Sequence, residues 1–239
     1  MKTKLRWMLP LALFLVLIAA FLLYTGIYYH ADPSALAALK SDETVSVTET
    51  GYGWFFDGPS EDHVLVFYPG GKVEETAYAP LLHRLAREGM DVCLLKVPFR
   101  LAVFDANKAD SALDSLAYEY RYVGGHSLGG VMAAGYASEH GEDLCGVILL
   151  AAYPTRALDL DLVCLSLYGS EDGVVDPDQI AAARKYMPAQ YIEQVLEGGN
   201  HAQFGSYGMQ KGDRPALISS EEQIEEAVAA IGGTVFESD

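Results

Sequence analysis

Gly125-His126-Ser127-Leu128-Gly129 reads G-x-S-x-G, between a short apolar run and a segment with helical spacing. A serine at such a strand-to-helix turn is held in a strained backbone conformation, with its hydroxyl clear of the chain. Glycines are needed two residues to either side because side chains there would collide with neighbouring backbone. The helix that starts at the next residue favours negative charge developing on the serine oxygen. The chemistry this fits is nucleophilic attack on an acyl carbonyl. The competing reading is a Gly-rich turn that packs a helix closely onto a sheet.

A serine hydroxyl is a poor nucleophile until a base removes its proton. The chain has six histidines. His30 abuts an apolar N-terminal run, His63 opens a strand at the far edge, His83 lies mid-helix and His140 ends a helix on the far side. The His126 side chain is expected to point away from the nucleophile. His201 follows the last strand-like run, in Glu197-Gly198-Gly199-Asn200-His201, and is the candidate base. The acid that orients it should follow a strand between serine and histidine. Asp143, Asp159 and Asp161 precede strands and so sit at the wrong edge. Asp172, in Gly169-Ser170-Glu171-Asp172-Gly173, is the best candidate, with Glu171 and Asp176 as runners-up. A tetrahedral intermediate also needs amide donors. The Leu128 N–H is one. Gly71, in Tyr68-Pro69-Gly70-Gly71-Lys72, is the choice for the second, with Lys72 next.

These residues need a scaffold that brings them to one edge. Apolar runs at 45–50, 52–57, 63–68, 91–97, 122–123, 144–151, 162–168 and 191–196 read as strands. Segments 74–88, 105–120, 127–140, 177–186 and 219–231 read as helices, the last capped by Ser219 or Ser220. Ala77, Leu81, Leu82 and Leu85 make one face of the first. Residues 31–42 read as a linker or short helix. Strands alternating with helices predict an α/β fold: a mostly parallel, doubly wound sheet covered on both faces. In such a sheet the ligand crevice lies at the C-terminal ends of the strands. Ser127, Asp172 and His201 all follow strands. Only about ten residues separate 151 from 162, too few for a cap domain, which is expected to leave the site open.

At 239 residues the chain is long enough for one catalytic domain plus an appendage. A net charge of −17 argues against nucleic-acid binding, which needs clustered Lys and Arg. Cys93, Cys145 and Cys164 each fall in strand-like runs and read as buried thiols, with a Cys145–Cys164 bridge as the other possibility. No metal or organic cofactor is implied.

Lys2, Lys4 and Arg6 precede a run, 7–29, without a charged residue. At about 1.5 Å per residue that run crosses a ~30 Å hydrocarbon core. Trp7 at one end and Tyr24, Tyr28 and Tyr29 at the other suit the two interfaces. A cleaved signal peptide competes, but the run exceeds the usual apolar stretch of about 7–15 residues and no small-x-small site follows. The expectation is one N-terminal transmembrane signal anchor. The positive-inside rule then leaves the N-terminus cytoplasmic and the rest outside a cell membrane. The expected organisation is 1–30 tip and anchor, 31–44 juxtamembrane linker, 45–239 catalytic domain.

Five blocks carry a family resemblance: YPGGKVE at 68–74, VPFRLAVFD at 97–105, GGHSLGG at 124–130, YGSEDGVV at 168–175 and GGNHAQFGSYG at 198–208. In this order they resemble the α/β-hydrolase superfamily. More narrowly, they are similar to its small lidless serine hydrolases near the dienelactone hydrolases, often membrane-anchored bacterial proteins. The resemblance implies the α/β-hydrolase fold and Ser127, Asp172 and His201 as a triad. It also implies that the 97–105 and 202–208 loops line the pocket, with Phe99 and Phe204 as substrate contacts. Dienelactone hydrolases proper carry a cysteine where this chain has Ser127. The expected activity is cleavage of a carboxylic ester or related acyl compound, on a small-molecule or lipid-like substrate. Acyl transfer by the same triad and a catalytically idle binding module are the competing readings.

Overall fold

The computed structural model describes residues 2–236, with side chains from residue 10 onward. The side chains of Lys2, Lys4, Arg6 and Trp7 lie outside the described residues. Eight strands form one sheet: β1 (Ser46–Glu49), β2 (Gly53–Asp57), β3 (His63–Tyr68), β4 (Met90–Leu95), β5 (Tyr120–His126), β6 (Gly146–Leu150), β7 (Val163–Gly169) and β8 (Gln190–Leu196). Their order is β1-β2-β4-β3-β5-β6-β7-β8. β1 and β2 form a hairpin, β2 runs antiparallel to β4, and every remaining pair is parallel.

Alternation along β3 shows why the sheet is covered twice. Leu65 and Phe67 face a core shared with Leu81, Leu82, Ile224 and Ile231 of α3 (Ala79–Arg87) and α7 (Ser220–Phe236). Val64 and Val66 face the other core, with Ala133 and Ala134 of α5 (Leu128–Ala137). A strand buried on both faces reads as continuous apolar residues, as HVLVFY does. α6 (Pro177–Ala183) joins β7 to the edge strand β8. No helix or strand lies between Leu150 and Val163, where a cap would be inserted.

The expected helix 74–88 is a 3-10 turn, Glu75–Tyr78, followed by α3. Pro80 forces the break, since proline is accommodated only in the first turn of a helix. The expected helix 105–120 is a correction: only one turn forms, α4 (Asp110–Leu113). The Tyr68 hydroxyl donates to the Ala106 carbonyl at 2.6 Å and accepts the Ala109 N–H at 3.1 Å, diverting backbone groups a longer helix would use. α7 runs past the expected end at 231 to Phe236. It opens with a capping box in which Ser219 and Glu222 exchange side-chain and backbone bonds at 3.2 and 2.8 Å. All three cysteines are free, so the Cys145–Cys164 bridge is not formed. Cys93 and Cys164 are buried, whereas Cys145 is only half-buried.

At the N-terminus, α1 spans Lys2–Gly26. Among the described residues no helix is long and apolar enough to cross a membrane. After α1 the chain turns back onto the catalytic edge. The Tyr29 N–H donates to the Lys72 carbonyl, and the Tyr29 carbonyl accepts the Glu74 N–H, each at 2.8 Å. A short helix, α2 (Pro33–Ala37), follows, capped by Asp32.

Candidate active site

Ser127 sits between β5 and α5 with φ 53° and ψ −123°, in the left-handed region that a side chain rarely adopts. The flanking glycines are required by contact. A Cβ at Gly125 would lie 2.6 Å from the Tyr68 carbonyl oxygen, and one at Gly129 would lie 2.3 Å from the same atom. The elbow therefore packs directly on the end of β3.

His201 follows β8 and Asp172 follows β7, and both side chains are buried. Asp172 Oδ2 lies 2.9 Å from His201 Nδ1. Asp172 Oδ1 accepts the Val174 and Val175 N–H groups, both at 2.8 Å, so the carboxylate is fixed at both oxygens. An ionised acid accepts a hydrogen bond from Nδ1–H, which leaves the lone pair on Nε2. That nitrogen is buried and has no hydrogen-bond partner among the described residues. Glu171 takes another role: it accepts the Gly198-side Ser170 hydroxyl at 3.4 Å. Asp176 caps α6 by accepting the Asp178 N–H at 2.9 Å.

Leu128 is the first residue of α5, so its amide has no carbonyl within its own helix. Gly71 lies beside it: a Cβ there would be 2.9 Å from Leu128 Cδ2. The Lys72 N–H is already donated to the Arg100 carbonyl at 2.8 Å, which removes the runner-up. The Gly71 backbone thus lies against the Leu128 side chain at the start of α5.

Phe99 is 46% exposed with φ 55°, in the 98–104 loop. Phe204 has no exposed surface and packs against the His126 ring, with centroids 5.7 Å apart. It backs the site rather than lining it, a correction to its expected role as a substrate contact.

Three side chains that support this arrangement carry no local signal in the sequence. Tyr78 accepts the Gly70 N–H at 3.0 Å, and its hydroxyl shares a hydrogen bond with His126 Nδ1 at 2.8 Å. Burial, then the neighbouring His201, holds the His126 imidazole well below its usual pKa and hence neutral. The His126 ring lies 4.5 Å from that of His201, so it walls the base. Asp213 accepts the Gly173 N–H at 3.0 Å and the Ala202 N–H at 2.9 Å, linking the acid loop to the histidine loop. Arg214 donates to the carbonyls of Ser170, Glu171 and Asp172 at 2.9, 3.2 and 2.9 Å. Only a turn at 211–214 brings these two into reach, and no spacing announces it.

The family model "Alpha/beta hydrolase family" matches residues 64–225, so the chain belongs to that family. Comparison with curated proteins gives no match. Among solved structures, the chain is similar to Est1E from Butyrivibrio proteoclasticus at 13% identity and TM-score 0.54, over 81% of this chain and 100% of that one. It is similar to naproxen esterase (carboxylesterase NP) from Bacillus subtilis at 13% identity and TM-score 0.51, over 70% and 88%. It also resembles alpha/beta hydrolase domain-containing protein 10 from mouse at 12% identity and TM-score 0.57, over 82% and 100%. At such identities these likenesses speak to the fold.

Proposed function

We propose that this chain is a membrane-anchored serine hydrolase that cleaves a carboxylic ester or related acyl compound. The observations that carry the reading are the buried Asp172–His201 pair, 2.9 Å apart, and a serine in elbow geometry after β5. Ser127 Oγ attacks the carbonyl carbon while His201 Nε2 takes its proton. The C–O bond of the ester breaks and the alcohol leaves with that proton. Water, deprotonated by the same nitrogen, then splits the acyl-enzyme into a carboxylic acid and free Ser127. The Gly71 and Leu128 amides hold the carbonyl oxygen as it gains charge. Esterases among the solved structures of similar fold are in keeping with this chemistry, and the five sequence blocks resemble the lidless serine hydrolases near the dienelactone hydrolases.

The anchor is α1. Its support is the charge-free run 7–29 and the exposure of Leu13, Val16, Leu17 and Leu23 on an apolar helix without a protein partner for that surface among the described residues. By the positive-inside rule, the basic residues ahead of the run support a cytoplasmic N-terminus and an external catalytic domain.

The test is labelling of the full-length, detergent-solubilised protein by a fluorophosphonate, with mass-spectrometric mapping. An adduct on Ser127, abolished in His201→Ala, is expected. A folded protein without an adduct would remove the hydrolase reading in favour of a binding module.

A further inference from the structure

We infer that the mouth of the catalytic site is docked on the bilayer that holds α1, with the 98–104 loop inserted at the level of the lipid headgroups, and that the substrate is an acyl ester carried by a lipid of that leaflet. This rests on the anchor and hydrolase readings proposed above.

The first observation is where α1 touches the domain. Phe21 packs edge-on against Phe99 and Phe104, with centroids 5.0 and 5.7 Å away. Phe21 precedes the end of α1 at Gly26 by five residues, about 7–8 Å at 1.5 Å per residue. If the helix crosses a bilayer, these two rings lie at the depth of its last turns. Interfacial apolar side chains settle about 5–10 Å into the headgroup–acyl boundary, the same depth.

The second is the chemistry of the loop. Phe99, Val103 and Phe104 are 46, 50 and 52% exposed within one short loop of a chain whose net charge is −17. Two cations, Arg100 within the loop and Lys72 bonded to it, face the end of the helix. Lys72 Nζ lies 4.0 Å from the Tyr24 ring centroid, and the Arg100 guanidinium 3.3 Å from that of Tyr28. Tyrosines paired with Lys and Arg at the end of an apolar helix mark the interface, and the cations offset the repulsion of a −17 chain from anionic headgroups.

The third is continuity with the reacting atoms. A Cβ at Gly71 would lie 3.7 Å from Leu101 Cδ2, so the loop that holds Phe99 and Phe104 borders the oxyanion amides. The Lys72 N–H bond to Arg100 ties the two segments together. An ester at the headgroup–acyl boundary therefore reaches Ser127 without leaving the membrane surface, and the absence of a cap leaves that path open.

The test uses the full chain in vesicles of phosphatidylethanolamine and phosphatidylglycerol, prepared with and without brominated acyl chains. Val103→Trp is compared with Leu160→Trp, an exposed site ahead of β7 at the opposite edge of the sheet. After subtraction of the wild-type signal, the added emission of Val103→Trp should be quenched by brominated lipid, and that of Leu160→Trp should not. Unquenched Val103→Trp overturns the docking. The second arm is Val103→Asp, which should lower the ratio of turnover on a vesicle-borne long-chain ester to that on a soluble short-chain ester by about tenfold. An unchanged ratio overturns the lipid substrate. Fluorophosphonate labelling in the same vesicles separates the two readings. Quenching without a Ser127 adduct would leave the docking and sink the hydrolase, and an adduct without quenching would sink the docking alone.

Discussion

Arg214 holds Asp172 by its backbone, not by its charge: the guanidinium donates to the Asp172 carbonyl at 2.9 Å and to the two carbonyls before it. The carboxylate stays free to meet His201. Arg214→Ala should lower kcat by about tenfold, roughly 1.4 kcal/mol in the barrier, with a small change in melting temperature because the group is half exposed. Arg214→Lys should restore little, since one ammonium cannot reproduce a planar fork spread over three acceptors. Steady-state kinetics and thermal melts on both variants check this.

Asp172→Asn should be more damaging. The amide oxygen would stay with the Val174 and Val175 N–H groups, so the NH2 would face His201 Nδ1. Nδ1 would then have to accept, which moves the ring proton to Nε2, where a base is needed. A loss of about 10⁴ in kcat is expected from the wrong tautomer alone. A loss under tenfold would mean that another acid serves His201.

Tyr78→Phe tests the wall behind the base. It strands the Gly70 N–H and His126 Nδ1 together in a buried place, each at a cost of about 1–3 kcal/mol. Lower stability and a lower kcat with little change in KM are expected, because the oxyanion loop loses its register while the apolar pocket keeps its shape.

The acid limit of stability should be set partly at the sheet edge. Glu193 on β8 takes two bonds from Arg184, at 2.8 and 2.6 Å, and one each from the Tyr191 and Tyr168 hydroxyls. Arg184 first, then the tyrosines, lower its pKa from an ordinary 4.5 to about 2 against the opposing effect of burial. A group lowered on folding stabilises the fold above its unfolded value, and that contribution fades as pH falls from 4.5 towards 2. Glu193→Gln should flatten the stability profile in that window while lowering the plateau at pH 7. Urea melts at several pH values read this directly.

Thiol reactivity should separate the cysteines. Burial pushes the Cys93 and Cys164 thiols up to about 12, so neither forms thiolate at neutral pH. Cys145, half-buried, should take up iodoacetamide in the native state, and the other two only after unfolding.

Much of this arrangement was legible in the chain. Strands such as 63–68 and 144–151 are rich in apolar residues and lead into turns marked by glycine or proline, so their ends and the residues that follow them could be placed. That is why Ser127, His201 and Asp172 could be read from their positions after strands. What failed were side chains whose role depends on distant partners. Tyr68 unwinds the expected helix at 105–120 from some forty residues away, through its contacts with Ala106 and Ala109. Phe204 follows His201 closely, yet its burial behind His126 is decided by α7 and the 3-10 turn before α3. Asp213 and Arg214 sit in a turn with no periodicity to read.

Tyr29 belongs by sequence to the end of the apolar run and by hydrogen bonding to the loop that carries Gly71. A division of the polypeptide into tether and enzyme therefore cuts through the enzyme. Were the chain anchored as proposed, cleavage after Tyr29 would free the domain without that residue and leave the Lys72 carbonyl and the Glu74 amide to water. A form shed in that way is expected to be impaired, which would tie activity to molecules still attached to their helix.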